Sequence, residues 1–227
     1  MANFTIKTSR IALRILQNYT IMGRTQLYSG LSGCFWLLIA DKKNQQLHIV
    51  NDPVGIQPCY YTQQNETLYI ASTLKQLKQQ TDISLTLSQQ AIFNYFYFHC
   101  IPAPNTIYQE CFKLSAANAV TFDAKGQQKN KNLYRPEFAT QLANKQTAHQ
   151  DCLNVIKASV QQQATADCGA FLSGGLDSST VAGMLAEHQQ PAKTFSIGFE
   201  VPEYDETAYA KITAEHFGTE HNILYLK

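Results

Sequence analysis

Phe171-Leu172-Ser173-Gly174-Gly175-Leu176-Asp177-Ser178-Ser179-Thr180 is the stretch on which the reading of this chain turns. Upstream, Gly169 to Leu172 is a short apolar run without polar alternation, the pattern of a buried parallel strand. Downstream, Val181, Met184, Leu185 and His188 recur at helical spacing, which predicts a helix starting near Asp177 or Ser178. Strand, glycine turn and helix N-terminus in succession offer free backbone N–H groups and a positive dipole end to a phosphate. No lysine follows the glycines, so the loop is not a Walker A loop, and Ser173 does not stand in Gly-x-Ser-x-Gly. What remains is hydroxyls and amides able to hold pyrophosphate oxygens, with Asp177 able to hold a magnesium ion bridging them. The competing reading is a plain glycine turn whose serines cap a helix. The length of the string favours the phosphate.

Beyond the loop, Gln189-Gln190-Pro191 ends the helix and Thr194 to Phe199 reads as the next strand. Tyr204-Asp205-Glu206-Thr207 opens another helix, which carries Ala208, Ile212 and Phe217 and closes at Gly218. His221 to Leu226 reads as a third strand. A further helix, from about Ala148 to Gln163, leads into the loop strand. This βαβαβ order predicts a parallel sheet that binds ligands at the carboxyl ends of its strands.

The first half of the chain has a different rhythm. Ala12, Ile15, Leu16 and Tyr19 share one helical face; short strands over Cys34–Ala40, Leu47–Val50, Cys59–Tyr61 and Thr67–Ala71 follow, with polar turns between several of them. Their close spacing predicts an antiparallel meander. Asp52 is placed to cap the Pro53–Gly55 turn. Asn94-Tyr95-Phe96-Tyr97-Phe98 is aromatic without basic residues between, which predicts a packed helix face over a base-stacking surface. Phe122-Asp123-Ala124-Lys125-Gly126 marks a hairpin-like turn, and the polar stretch from Gln127 to Gln146 reads as a linker.

Composition excludes several classes. A formal net charge of +1 gives no reason to expect nucleic acid or an anionic membrane. The six cysteines are scattered without a CxxC pair, so they read as small buried apolar residues in a reducing compartment. With no signal-like or bilayer-length apolar run, a cytoplasmic location is expected.

Ser173 to Ser179, SGGLDSS, resembles the pyrophosphate loop of ATP-pyrophosphatase enzymes, which cleave ATP to AMP and pyrophosphate while adenylating an acceptor. Three further stretches choose within that superfamily: Leu31-Ser32-Gly33-Cys34-Phe35, Asn51-Asp52-Pro53-Val54-Gly55-Ile56-Gln57-Pro58-Cys59-Tyr60-Tyr61 and Ala71-Ser72-Thr73-Leu74-Lys75. They resemble the second half of the class II glutaminase domain joined to asparagine synthetase. So do Ile101-Pro102-Ala103-Pro104-Asn105-Thr106-Ile107 and the run from Thr194 to His221. The resemblance implies an α/β chain: an α+β half-domain of Ntn-hydrolase type over 1–125, a linker over 126–147, and an incomplete nucleotide-binding βαβαβ sheet over 148–227. It implies ATP-dependent amidation of aspartate to asparagine through an aspartyl-adenylate, with glutamine or ammonia as nitrogen source. ATP and Mg2+ are the implied cofactors, small molecules the partners, and a homodimer is among the expected assemblies. Leu172, Ile197 and Gly198 would hold adenosine through the backbone. Ser173, Gly174, Gly175, Ser178 and Ser179, with Leu176 between them, would hold pyrophosphate; Asp177 would orient the metal. Asp52 matches the family aspartate that helps hold glutamine, and His221 stands where the family carries a structural histidine.

The departures are specific. Met1 precedes Ala2, where the class II glutaminases expose a cysteine nucleophile, so glutamine hydrolysis by this chain is not expected. Asn51 stands for arginine, Thr73 for glutamate and Ala116-Ala117 for Pro-Gly. The later acidic loop of the family is not in this sequence. The chain thus reads as an internal piece of a synthetase. A non-catalytic remnant, or a relative that amidates or cyclises another carboxylate as β-lactam-forming enzymes do, stays open.

Overall fold

The computed structural model describes Leu31 and residues 33–80, 82–138 and 145–226; the helix expected over Ala12–Tyr19 lies outside them. The chain divides into two compact units, Met1–Glu137 and Phe138–Lys227.

In the first unit, β1 (Trp36–Asp41) and β2 (Gln46–Asn51) form an antiparallel hairpin, as do β3 (Tyr60–Gln64) and β4 (Thr67–Ala71). The expected single meander is not formed. The two hairpins belong to separate sheets, ordered β1-β2-β6-β7 and β4-β3-β5, with β5 (Phe112–Lys113), β6 (Asn118–Phe122) and β7 (Gln128–Asn132) arriving from later in the chain. The break has a physical cause: the Asp52–Gly55 turn and Pro58 interrupt the ladder after β2, whose free edge then pairs with β6. Leu47, Ile49, Val120 and Phe122 of one sheet meet Tyr61 of the other, with Cys59 and Leu114, in one buried core. Each sheet buries the apolar face it could not leave in water.

Gln128–Asn132 is paired strand where a linker is expected, because the turn before it closes firmly. The Asp123 side chain accepts from the Lys125 and Gln127 N–H groups, and Gly126 takes φ +76°. Two short helices, α1 (Leu74–Lys78) and α2 (Gln89–Phe98), flank the sheets, each N-capped by a hydroxyl, Thr73 and Ser88. The packed aromatic face expected on α2 is not seen: among the described residues α2 buries only Ala91, and Phe93, Tyr95, Phe96 and Tyr97 stand exposed. Nor are all the cysteines buried. Cys59 and Cys111 are, while Cys34, Cys100 and Cys152 are exposed.

The second unit follows the sequence closely. After α3 (Lys145–Gln163) come β8 (Gly169–Phe171), α4 (Leu176–His188), β9 (Lys193–Phe199), a 3-10 turn (Pro202–Tyr204), α5 (Thr207–Phe217) and β10 (Glu220–Leu226). All three strands are parallel, in the order β10-β9-β8. Both crossovers step the same way along the sheet, and right-handed connections then put α4 and α5 on one face. Ala170, Leu172, Ala182, Leu185, Ala210 and Ala214 form the core there, with Val160 of α3 and Phe217 against it. Gly218 ends α5 with φ +63°, as its position requires.

Candidate functional site

The strand β8 stops at Phe171, and the chain turns through Ser173 and Gly174 into α4. Leu172, 2% exposed, is the last residue tied to the sheet, its N–H donating to the Phe195 carbonyl at 2.8 Å. Gly174 takes φ +84°, and a Cβ there would lie 2.4 Å from Tyr209 Cβ and 2.7 Å from the Ala210 nitrogen. Only glycine allows the loop to rest on the start of α5 in this conformation.

Gly175 is the N-cap of α4, with no side chain to cap it. The first intrahelical bond of its turn is Ser179 N–H to the Gly175 carbonyl at 3.0 Å, so the N–H groups of Leu176, Asp177 and Ser178 are the orphan donors of a helix start. The serines of the loop brace it. Ser178 Oγ donates to the Gly175 carbonyl at 3.1 Å, lies 3.0 Å from Ser173 Oγ and accepts from the Ser173 N–H at 3.2 Å. Ser173 Oγ accepts from the Gly175 N–H at 3.3 Å, and Ser179 Oγ lies 3.2 Å from Thr213 Oγ1 of α5. The hydroxyls thus hold the loop's shape and take none of the three orphan amides of the helix start.

Asp177 is exposed in the first turn of α4, where the dipole favours a negative charge. Among the described residues no three His, Cys, Asp or Glu side chains gather to hold a metal alone. A magnesium ion is commonly bound by one or two carboxylates plus substrate phosphates and water, and one carboxylate beside three orphan amides fits a metal that arrives with a nucleotide.

The neighbouring strand completes the arrangement. Because the Phe195 carbonyl points toward β8, the alternation of a parallel ladder turns the backbone N–H and C=O of Ile197 to the same edge, beyond the point where β8 ends. Gly198 faces the other way, under Tyr225 and Thr207, where a Cβ would lie 2.5 Å from the Tyr225 ring.

Three residues around His221, which the resemblance gave a structural place, escaped the sequence reading: Thr194, Ser196 and Thr219. Thr194 Oγ1 lies 2.8 Å from Thr219 Oγ1 and 3.0 Å from His221 Nδ1; His221 Nε2 lies 3.4 Å from Ser196 Oγ, which donates to the Leu172 carbonyl. Burial holds His221 below the usual imidazole range, an interaction with the Thr194 backbone works against it, and the charge of Lys211 adds to the depression. The available signal was the alternation of small polar residues in Thr194-Phe195-Ser196-Ile197-Gly198.

In the first unit, Asp52 is 1% exposed and its carboxylate is taken up by the turn it caps. Oδ1 accepts from the N–H groups of Val54 at 2.9 Å and Gly55 at 2.6 Å, and Oδ2 from Phe35 at 3.2 Å. Burial pushes its pKa up, but these backbone donors outweigh burial and leave it below the ordinary carboxylate value. Asn51, also buried, donates to the Leu114 carbonyl. Two open pockets of this unit, of about 500 and 540 Å3, are lined by residues such as Trp36 and Leu77, and Pro53 and Arg135; neither includes the glycine loop.

Fold and loop give two parts: a parallel βαβαβ sheet whose glycine loop opens a helix, and, before it in the chain, a unit of two antiparallel sheets. Comparison with known proteins assigns a family to each part. The family model for asparagine synthase matches residues 151–227, and that for the glutamine amidotransferase domain matches residues 3–134. A putative glutamine-hydrolysing asparagine synthetase of Methanocaldococcus jannaschii is 34% identical over 203 residues, covering 86% of this chain and 39% of that protein. Asparagine synthetase 1 (glutamine-hydrolysing) of Bacillus subtilis is 33% identical over 196 residues, covering 85% of this chain and 31% of that protein. This chain belongs to the glutamine amidotransferase domain family through residues 3–134, and its residues 151–227 are similar to asparagine synthase. It spans between about a third and two-fifths of the length of these relatives.

Proposed function

We propose that the second unit binds magnesium-ATP at the Ser173–Ser179 loop, as part of a reaction that amidates aspartate to asparagine. The observation that carries the reading is the uncapped start of α4, with the Leu176, Asp177 and Ser178 amides free at the carboxyl edge of the sheet. Pyrophosphate oxygens would take those donors, and the backbone of Leu172 and Ile197 would hold the adenine. Asp177 would hold the magnesium ion, whose chemistry is to neutralise charge on the phosphates. The aspartate carboxylate attacks the α-phosphorus and releases pyrophosphate, and ammonia then displaces AMP from the acyl-adenylate. Asp52 would serve the amidotransferase unit by holding the Val54–Gly55 turn in shape, its carboxylate oxygens being taken by backbone N–H groups. The units would correspond to an amidotransferase portion over 1–125 and a synthase portion over 148–227.

Titration calorimetry of the full chain tests the nucleotide site. Magnesium-ATP should bind saturably, magnesium chloride alone should give no heat, and Asp177→Ala should weaken binding by about tenfold or more, the loss of a contact to a charged group. Equal affinity in wild type and Asp177→Ala removes Asp177 from the site. No binding by the wild-type chain refutes the reading.

A further inference from the structure

The chain of polar groups from Thr219 to Leu172 crosses the sheet from β10 to β8 on the face covered by α5, and it ends at the residue that opens the glycine loop. Its proton positions follow from counting donors. Ser196 has one hydroxyl proton, and it goes to the Leu172 carbonyl. Toward His221 Nε2, 3.4 Å away, Ser196 Oγ can then only accept, so Nε2 carries the ring proton. The neutral ring leaves Nδ1 bare, and the partner 3.0 Å from it, Thr194 Oγ1, is the donor. Thr194 has then spent its proton, so Thr219, 2.8 Å away, donates to it. Every hydrogen bond in the sequence Thr219, Thr194, His221, Ser196, Leu172 runs in one direction, the arrangement in which such bonds polarise and strengthen one another.

Thr194 is fully buried and Ser196 is 7% exposed, so neither hydroxyl has water as an easy substitute partner. The Leu172 carbonyl is one peptide from Ser173, whose N–H and Oγ both bond Ser178. A shift of that peptide moves the serine brace and with it the amides at the start of α4. We propose that His221 is a positioning residue for the glycine loop: as the Nε2–H tautomer it orients Ser196, which fixes the Leu172 carbonyl and so the loop's phosphate-facing amides. The inference rests on the nucleotide reading for its functional consequence, but its geometry can be measured without nucleotide.

Three variants of the full chain separate this role from a packing role. His221→Gln places an amide N–H near the former Nε2, His221→Asn places its polar atoms nearer Nδ1, and Ser196→Ala removes the relay while changing little volume. Each is titrated with magnesium-ATP, unfolded in urea, and followed by amide hydrogen exchange over residues 172–178. Ser196→Ala and His221→Asn should weaken magnesium-ATP about fivefold, the weight of one neutral hydrogen bond, and speed loop exchange. His221→Gln should stay within about twofold of wild type on both counts. Loop exchange unchanged in Ser196→Ala and His221→Asn overturns the proposal. So does equal loss in all three variants in step with their urea midpoints, which marks packing alone. If the wild-type chain binds no magnesium-ATP, the exchange pattern still decides the positioning role, and the nucleotide reading alone fails.

Discussion

Gly174→Ala is the sharpest test of how the loop is built, because Gly218→Ala serves as its internal control. Both glycines sit at positive φ, +84° and +63°, so both alanine variants carry the left-handed backbone penalty of about 1–2 kcal/mol. They differ in surroundings. At Gly218 an added Cβ meets nothing within 4 Å. At Gly174 it meets Tyr209 Cβ at 2.4 Å, Tyr209 carbonyl carbon at 2.5 Å and Ala210 nitrogen at 2.7 Å. Two of those three atoms are backbone of α5, which cannot swing aside as a side-chain tip would. Overpacking against such neighbours adds about 1–3 kcal/mol. Gly218→Ala should therefore cost about 1–2 kcal/mol and Gly174→Ala about 2–5 kcal/mol. The single tryptophan, Trp36, reports on the first unit only, so the second is followed by native-state hydrogen exchange in peptides from β9, α5 and β10. Gly174→Ala should lower protection there and leave the Trp36 unfolding curve unchanged. Equal losses in the two variants would falsify the claim that the loop rests against α5.

Three further outcomes follow from particular side chains. Asp52→Asn can keep a carbonyl toward Val54 and Gly55 but turns an amide donor against the Phe35 N–H, so urea unfolding of the first unit should show a loss of about 2 kcal/mol. Because the folded pKa of Asp52 lies below its unfolded value, its contribution is complete above about pH 4 and is lost as the pH falls through the folded pKa; acid titration of Trp36 fluorescence should show a shallower slope in Asp52→Asn. Burial pushes the Cys59 thiol up to about 12 and raises that of Cys111, so brief alkylation of the native chain should mark the exposed Cys34, Cys100 and Cys152 and reach Cys59 and Cys111 only in urea, as read by peptide mass spectrometry.

What the sequence disclosed was local. The glycine string, the helix that starts beside it, the Gly218 cap and the Asp123 turn each depend on residues within a few positions of one another, and each is where the sequence put it. What it hid depends on partners far along the chain. No periodicity within Gln46–Asn51 announces that it pairs with Asn118–Phe122 rather than with the next hairpin. The aromatic run of α2 reads as a face to be buried, yet the described residues offer it no cover. Ala117 shows the limit from the other side. It takes φ +53° where the family resemblance has glycine, held by its N–H to the Asp52 carbonyl at 2.9 Å and by the Leu133 N–H on its own carbonyl at 2.7 Å. Tertiary bonds there outweigh a preference that the residue type alone would have decided.

In β9 the positions buried among the described residues are Thr194, Ser196 and Gly198, while Phe195, Ile197 and Phe199 are between 40% and 49% exposed. The face that α5 covers is the one that carries the small residues. The cause is the distance at which α5 sits: Thr207 would lie 3.0 Å from a Cβ at 198, and the loop glycine already touches the α5 backbone at Tyr209. Large side chains on that face of β9 would hold α5 away and withdraw the surface on which the loop rests. Small polar residues allow the approach, but their hydroxyls must then find partners within the layer. They find them in Thr219, His221 and the Leu172 carbonyl, and no buried side-chain polar atom among the described residues is left without a hydrogen bond. The close helix therefore demands the polar chain, and the polar chain ends on the loop.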